Sequence, residues 1–296
     1  MSEEGRTFEG LPAAGQSPLY HALERPRYTR QALIREIEQQ TDTRLICYVS
    51  GVAGSITEHD IPPLVDLLDD VRSGDDLDLL LHTPGGDVDQ AERIVVLCRK
   101  RVGKDARFRV IVPNSAKSAG TLIAIASDEI VMGEPSELGP IDPQVTIVTA
   151  SGEPMHRPAQ SFLDGLKIIE EKADPQLPAA YFPLLDKLDP ALLDFCQKAI
   201  DRSAQFAEQY LAKYMLKGDP DRAAEIARAL NDAGTHLSHG ALIDADKATE
   251  MGLNVRTLQH DDPLWRAYWQ LFCQMRLALP DSGSKLLEGR RASLQY

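Results

Sequence analysis

The sequence predicts an α/β fold around a parallel sheet, and three observations carry that expectation. Short apolar runs alternate with segments of helical periodicity from Arg44 to Met132. One run, LDLLLH at Leu77 to His82, is apolar on nearly every position, as a strand covered by helices on both faces must be. Two runs end in small-residue turns that open directly into helical pattern, and functional sites in such folds gather at the carboxyl ends of strands.

Taken in order, the first 28 residues read as a disordered or extended leader, rich in Gly, Glu and Pro up to Gln16. Thr29 can cap a helix to Gln40 with Ala32, Leu33 and Ile37 on its apolar stripe. Arg44 to Ser50 is a β-rich run closed by Gly51, and Asp60 to Val71 is an amphipathic helix with Leu64, Leu67, Leu68 and Val71 inward. Leu77 to His82 is the second strand. A helix from Val88 to Arg101, a strand at Phe108 to Val112, a helix from Ser118 to Ser127 and a strand at Glu129 to Met132 continue the alternation.

Beyond Met132 the character changes. Gly133 to Val145 holds three prolines and two glycines and reads as a stiff irregular loop, followed by a small hairpin at Val145 to Gly152. Helices are expected over Ala159 to Lys172, Pro190 to Leu216 and Pro220 to Leu230, with Pro190 suited to a helix start after Asp189. His236 to His239 interrupts this helical half. A short helix at Ala245 to Met251 stops at Gly252, Leu253 to Thr257 is an edge strand, and Asp262 to Leu279 is a last helix bearing Leu264, Trp265, Tyr268, Trp269 and Phe272. Aromatics at that spacing mark packing on the body or on another subunit.

Composition excludes several function classes. A formal net charge of −13 and a pI near 5.0 argue against a broad nucleic-acid footprint, which needs clustered basic surface, and against an anionic membrane. No apolar stretch approaches the roughly 18 residues of a membrane span, and the N-terminus lacks a signal-peptide pattern, so a cytoplasmic protein is expected. Cys47, Cys98, Cys196 and Cys273 stand far apart in apolar segments and read as buried thiols. With no CxxC or HExxH spacing, neither a metal site nor a cofactor is expected.

The two turns carry the chemistry. In NSAKSAGTLIAIAS, Asn114 to Ser127, Ser118 stands before Ala119-Gly120 at the mouth of a helix. The bland reading makes it a helix cap. In HTPGGDVDQA, His82 to Ala91, the Gly85-Gly86 turn could simply need positive φ. Together they offer a nucleophile and free backbone N–H groups, two of the parts acyl transfer requires.

In that order, strand, TPGGDVDQA, helix, strand, SAKSAGTLIA, helix, the chain resembles the Clp protease and signal peptide peptidase A superfamily. The nearest likeness is to its serine dehydrogenase proteinase branch, across roughly Thr29 to Val255. The resemblance implies a Clp/crotonase-like β/α spiral with a parallel sheet and a helical C-terminal half, in a peptidase domain spanning 29–258, with a C-terminal helix and tail at 259–296. It also implies attack by Ser118 and an oxyanion hole from Gly85 or Gly86 together with Ala119. The Clp branch's histidine position falls on or near Asp142, and its aspartate position falls near His239 or Gly240. The two roles therefore read as exchanged, with His239 deprotonating Ser118 and Asp142 orienting His239, an arrangement equivalent in chemistry because roles follow geometry rather than chain order.

Other bases compete: Lys117 beside the serine, whose bland reading is a solvated charge, Lys167, or no conventional base at all. His82 reads as structural. The resemblance implies a serine endopeptidase acting on peptide or protein substrates, independent of ATP by itself and assembled as a homo-oligomer; any unfoldase or regulatory partner stays open. Two further readings stand beside it: an inactive peptidase-fold scaffold that binds protein partners, and a crotonase-like acyl-CoA enzyme, which would also use paired N–H groups.

Overall fold

The computed structural model describes residues 18–148, 152–171, 189–232 and 240–296. Its centre is a seven-stranded sheet in the order β11-β10-β1-β2-β3-β5-β9, in which β10 is Lys285–Glu288 and β11 is Ser293–Gln295. Strands β1 (Arg44–Ser50), β2 (Leu77–His82), β3 (Phe108–Val112), β5 (Glu129–Met132) and β9 (Val255–Thr257) run parallel. Helices α1 (Pro18–Thr41), α2 (Ile61–Leu68), α3 (Val88–Val102) and α4 (Ala119–Ile125) punctuate the first strands. The parallel α/β reading is what the chain adopts, and β9 is the edge strand the sequence predicts.

Every residue of β2 and of β3 is buried, because apolar clusters cover both faces of the sheet. One joins α2, α3 and α4 to α6 (Pro190–Tyr210), α7 (Pro220–Asn231) and α8 (Ala245–Glu250). The other joins Ile34 and Ile37 of α1 to Trp265, Tyr268, Leu271 and Met275 of α9 (Pro263–Ala278). The aromatic helix thus packs on the body. The hairpin of β7 (Gln144–Val148) and β8 (Pro154–Pro158) and helix α5 (Ala159–Glu171) pack on α6 through a smaller apolar cluster that includes Val145, Ala159 and Cys196. All four cysteines are free thiols, three of them buried.

Three features depart from the sequence reading. Residues 18–28, expected as part of an extended leader, are helical and continuous with α1, which runs through Pro26. The tail contributes two strands, β10 (Lys285–Glu288) and β11 (Ser293–Gln295), that extend the sheet antiparallel from β1. Its charged residues disguised it: Lys285 and Glu288 are buried, each against an opposite charge, Lys285 Nζ at 2.6 Å from Asp60 and Glu288 at 2.5 Å from Arg30. Within the stiff loop, β6 (Glu137–Leu138) pairs with β4 (Ser115–Ala116), each two residues long and below what periodicity can detect.

Candidate active site

Thr83 follows β2 and makes a single parallel bridge to Ala116, with Thr83 N donating to Ser115 O at 3.0 Å and Lys117 N donating to Thr83 O at 3.1 Å. That bridge lays the Gly85-Gly86 turn beside the Lys117-Ser118 turn. Contact is close: a Cβ added at Gly85 would meet Ser118 Cβ at 2.7 Å and Ala119 N at 3.3 Å. On the far side, Ile56 N donates to Gly85 O at 2.7 Å and Asp87 N donates to Ile56 O at 3.0 Å, so the Gly-Gly turn is wedged between two backbones. Glycine is needed at both positions for space and for φ values of 108° and 144°.

Ser118 does not cap α4 through its side chain, contrary to the bland reading. It stands at φ 52° and ψ −117°, a backbone region that L side chains avoid. Such strain in a non-glycine residue costs about 1–3 kcal/mol and persists where the surroundings enforce it, often at functional sites. Here the enforcement is visible. Thr83 O holds Lys117 N, Lys117 O accepts from Gly120 N at 2.8 Å, and the buried Thr121 hydroxyl donates to Ala116 O at 2.7 Å while accepting from Gly139 N at 3.0 Å. Gly120 lets α4 approach Thr83, whose methyl would lie 2.5 Å from an added Cβ.

The amides around Ser118 divide the oxyanion candidates. Gly85 N donates to Thr83 Oγ1 at 3.1 Å and is engaged. Gly86 N and Ala119 N make no hydrogen bond among the described residues, the latter as one of the orphan donors at the start of α4. Free donors beside a strained serine, at a helix N-terminus, can stabilise a developing oxyanion.

The remaining site residues fall as follows. His239 lies outside the described residues. Asp142 is buried and accepts from Gln144 Nε2 at 2.8 Å. Chain entering and leaving the 233–239 segment is fastened to the stretch preceding Asp142: Ile141 N donates to Leu230 O at 2.9 Å, and Leu138 and Ile243 exchange backbone bonds in an antiparallel bridge. Lys117 is not the solvated charge its bland reading made it. Its ammonium is paired with Glu137 at 2.8 Å and donates to Leu138 O at 3.0 Å and Ala241 O at 3.4 Å. So engaged, it ties the serine turn to the chain after 239. Lys167 is exposed on α5, 4.0 Å from Asp164.

Thr83 and Thr121 escaped sequence reading because a threonine among apolar residues carries no pattern of its own. His82 is buried, with Nδ1 3.3 Å from both Ser115 N and Ser115 Oγ and its ring edge-on to Phe272 at 4.9 Å. Burial, and then the nearby Arg276 charge, pull its pKa down to about 4, so the imidazole is neutral over the ordinary pH range. Among the described residues no acid, histidine and cysteine cluster could hold a metal ion, and no helix is long and apolar enough to cross a membrane.

The chain is 30% identical over 242 residues to uncharacterized protein MJ1495 of Methanocaldococcus jannaschii, covering 77% of this chain and 72% of that one. It is 34% identical over 184 residues to MJ0137 of the same organism, covering 61% of this chain and about half, 54%, of that protein. Among solved structures it aligns with a serine-to-alanine mutant of the 1510-N membrane-bound stomatin-specific protease at 18% identity and a TM-score of 0.44, covering 76% and 85% of the two chains. It aligns with the ClpP protease catalytic domain from Plasmodium falciparum at 11% identity and a TM-score of 0.39, covering 74% and 87%. Residues 17–264 match the ClpP-like SDH-type serine proteinases, and the chain belongs to that family.

Proposed function

We propose that this protein is a serine peptidase that cleaves peptide bonds through an acyl-enzyme on Ser118. The observation that carries the reading is the strained Ser118 backbone, held against the Gly85-Gly86 turn, with the N–H groups of Gly86 and Ala119 beside it unengaged among the described residues. Ser118 Oγ bonds to the scissile carbonyl carbon and gives its proton to a base. The oxyanion takes hydrogen bonds from Gly86 N and Ala119 N, and the C–N bond then breaks as the base returns the proton to the leaving amine. Water, deprotonated by the same base, releases the acyl group and restores the serine. One oxyanion donor is worth about 3 kcal/mol of barrier.

For the base we propose His239, oriented by Asp142. Support comes from the anchoring of Ala241 to Lys117, next to Ser118, and of Leu230 to Ile141, next to Asp142, one on each flank of 233–239. The engagement of Lys117 with three acceptors argues against it as the base. Peptides or proteins are the proposed substrates and a homo-oligomer the proposed assembly. The acidic surface and free thiols support a cytoplasmic setting.

A fluorophosphonate probe tests the nucleophile. Labelling of the full chain and none of Ser118→Ala is expected, together with cleavage of an unstructured protein substrate; a folded wild type that takes no probe defeats the reading. His239→Ala and Asp142→Asn test the base, and full peptidase rate in both would remove that assignment.

A further inference from the structure

We infer that His82 is a positioning residue for Ser118, its imidazole Nδ1 serving as the acceptor that clamps the nucleophile strand to the strand feeding the Gly-Gly turn. The inference rests on the peptidase reading of Ser118. Between Thr83 and β4 the ladder is a single bridge, and one bridge fixes little by itself. Ser115 is the residue held twice. Its carbonyl accepts from Thr83 N at 3.0 Å, and its N–H donates to His82 Nδ1 at 3.3 Å, where a longer strand pair would have offered a carbonyl. Its hydroxyl reaches the same nitrogen at 3.3 Å. Three residues after Ser115 stands Ser118, and three residues after His82 stands Gly85.

His82 is fixed from its other sides. Its backbone pairs with Val49 in the ladder between β1 and β2, its carbonyl accepts from Ser50 Oγ at 3.2 Å, and its ring meets the Phe272 edge of α9. Arg276, on the same helix, donates to Ser50 O at 3.3 Å and keeps a cation near the ring. A neutral ring with an unprotonated Nδ1 is the only form that accepts from Ser115 N–H. The side chain therefore transmits the rigidity of the parallel sheet into the Ser118 turn, where a displacement of about 1 Å can cost about a hundredfold in rate.

The test compares His82→Asn, whose amide oxygen can accept near the position of Nδ1, with His82→Leu, which keeps bulk and removes the acceptor. Each is made in the full chain and assayed by fluorophosphonate labelling of Ser118 alongside thermal unfolding. The expected result is a labelling rate constant at least ~10-fold lower for His82→Leu at little change in the probe's binding constant, and within ~3-fold of wild type for His82→Asn. A folded His82→Leu that labels at the wild-type rate overturns the inference, as does a His82→Asn as slow as His82→Leu. A measurement independent of these variants is the NMR coupling across the hydrogen bond from the Ser115 amide to His82 Nδ1 in wild type. Its absence overturns the clamp even if His82→Leu fails to fold. A wild type that shows the coupling yet takes no probe overturns the peptidase reading, and with it the clamp's catalytic consequence.

Discussion

Gly85 and Ser118 are pressed together so closely that a Cβ on the glycine would lie 2.7 Å from the Cβ of the serine. Gly85→Ala should therefore displace Ser118 as well as strain a φ of 108°. A fall of about 100-fold in probe labelling is expected. Gly74→Ala separates the two causes: Gly74 has a φ of 96° and open space around it, so that variant should lose about 1 kcal/mol and label normally.

Ser118 stores strain that its replacement by glycine would release. Ser118→Gly and Ser118→Ala both lack the hydroxyl, but only alanine keeps a Cβ at φ 52° and ψ −117°. Chemical denaturation should find the glycine variant more stable than the alanine variant by about 1 kcal/mol, with neither labelled. An alanine variant as stable as glycine would mean that the backbone relaxes without cost.

Thr83 and Gly120 form a steric pair across the site. Gly120→Ala drives a methyl to 2.5 Å from Thr83 Cγ2 and should cost about 2 kcal/mol. Thr83→Ser removes that methyl and keeps the hydroxyl that accepts from Gly85 N. In the double variant a coupling of about 1 kcal/mol or more should return, and strict additivity in urea denaturation would show that the clash is relieved elsewhere.

His82 makes stability depend on pH in a known direction. Its folded pKa is pulled from 6.5 to about 4, by burial first and the Arg276 charge second, so the unfolded chain binds the proton more tightly. The contribution of His82 is fully present above pH 6.5 and is lost as pH falls from 6.5 towards 4, on the order of 3 kcal/mol in all. Stability curves of wild type and His82→Asn should diverge over that window, and parallel curves would show that the ring titrates normally.

Asp60, wholly buried, accepts from Lys285 Nζ at 2.6 Å, Tyr48 Oη at 3.0 Å, Tyr296 Oη at 2.8 Å and Thr57 N at 2.7 Å. Lys285→Met leaves that carboxylate without its cation and should cost about 3 kcal/mol. Tyr296→Phe removes one of these bonds and should cost about 1 kcal/mol. Equal losses by denaturant titration would mean that the ion pair adds nothing beyond a hydrogen bond.

Sequence alone determined the parallel sheet, because LDLLLH and FRVIV are apolar where a one-sided strand would alternate, and that pattern is a local property of the chain. It also determined that a serine and a glycine pair end neighbouring strands, since both turns follow directly on apolar runs and open into helical pattern. Tertiary structure alone decided what those residues meet. That Gly85 is pressed against Ser118, that Lys117 is an anchored ion pair, and that a charged tail extends the sheet beyond β1 all depend on partners distant along the chain. Periodicity measures only burial along one segment, whereas a buried Lys285 or a twice-held Ser115 is stable because of the particular atoms opposite it. Those opposing atoms are set by how strands and helices come together, which no local pattern encodes.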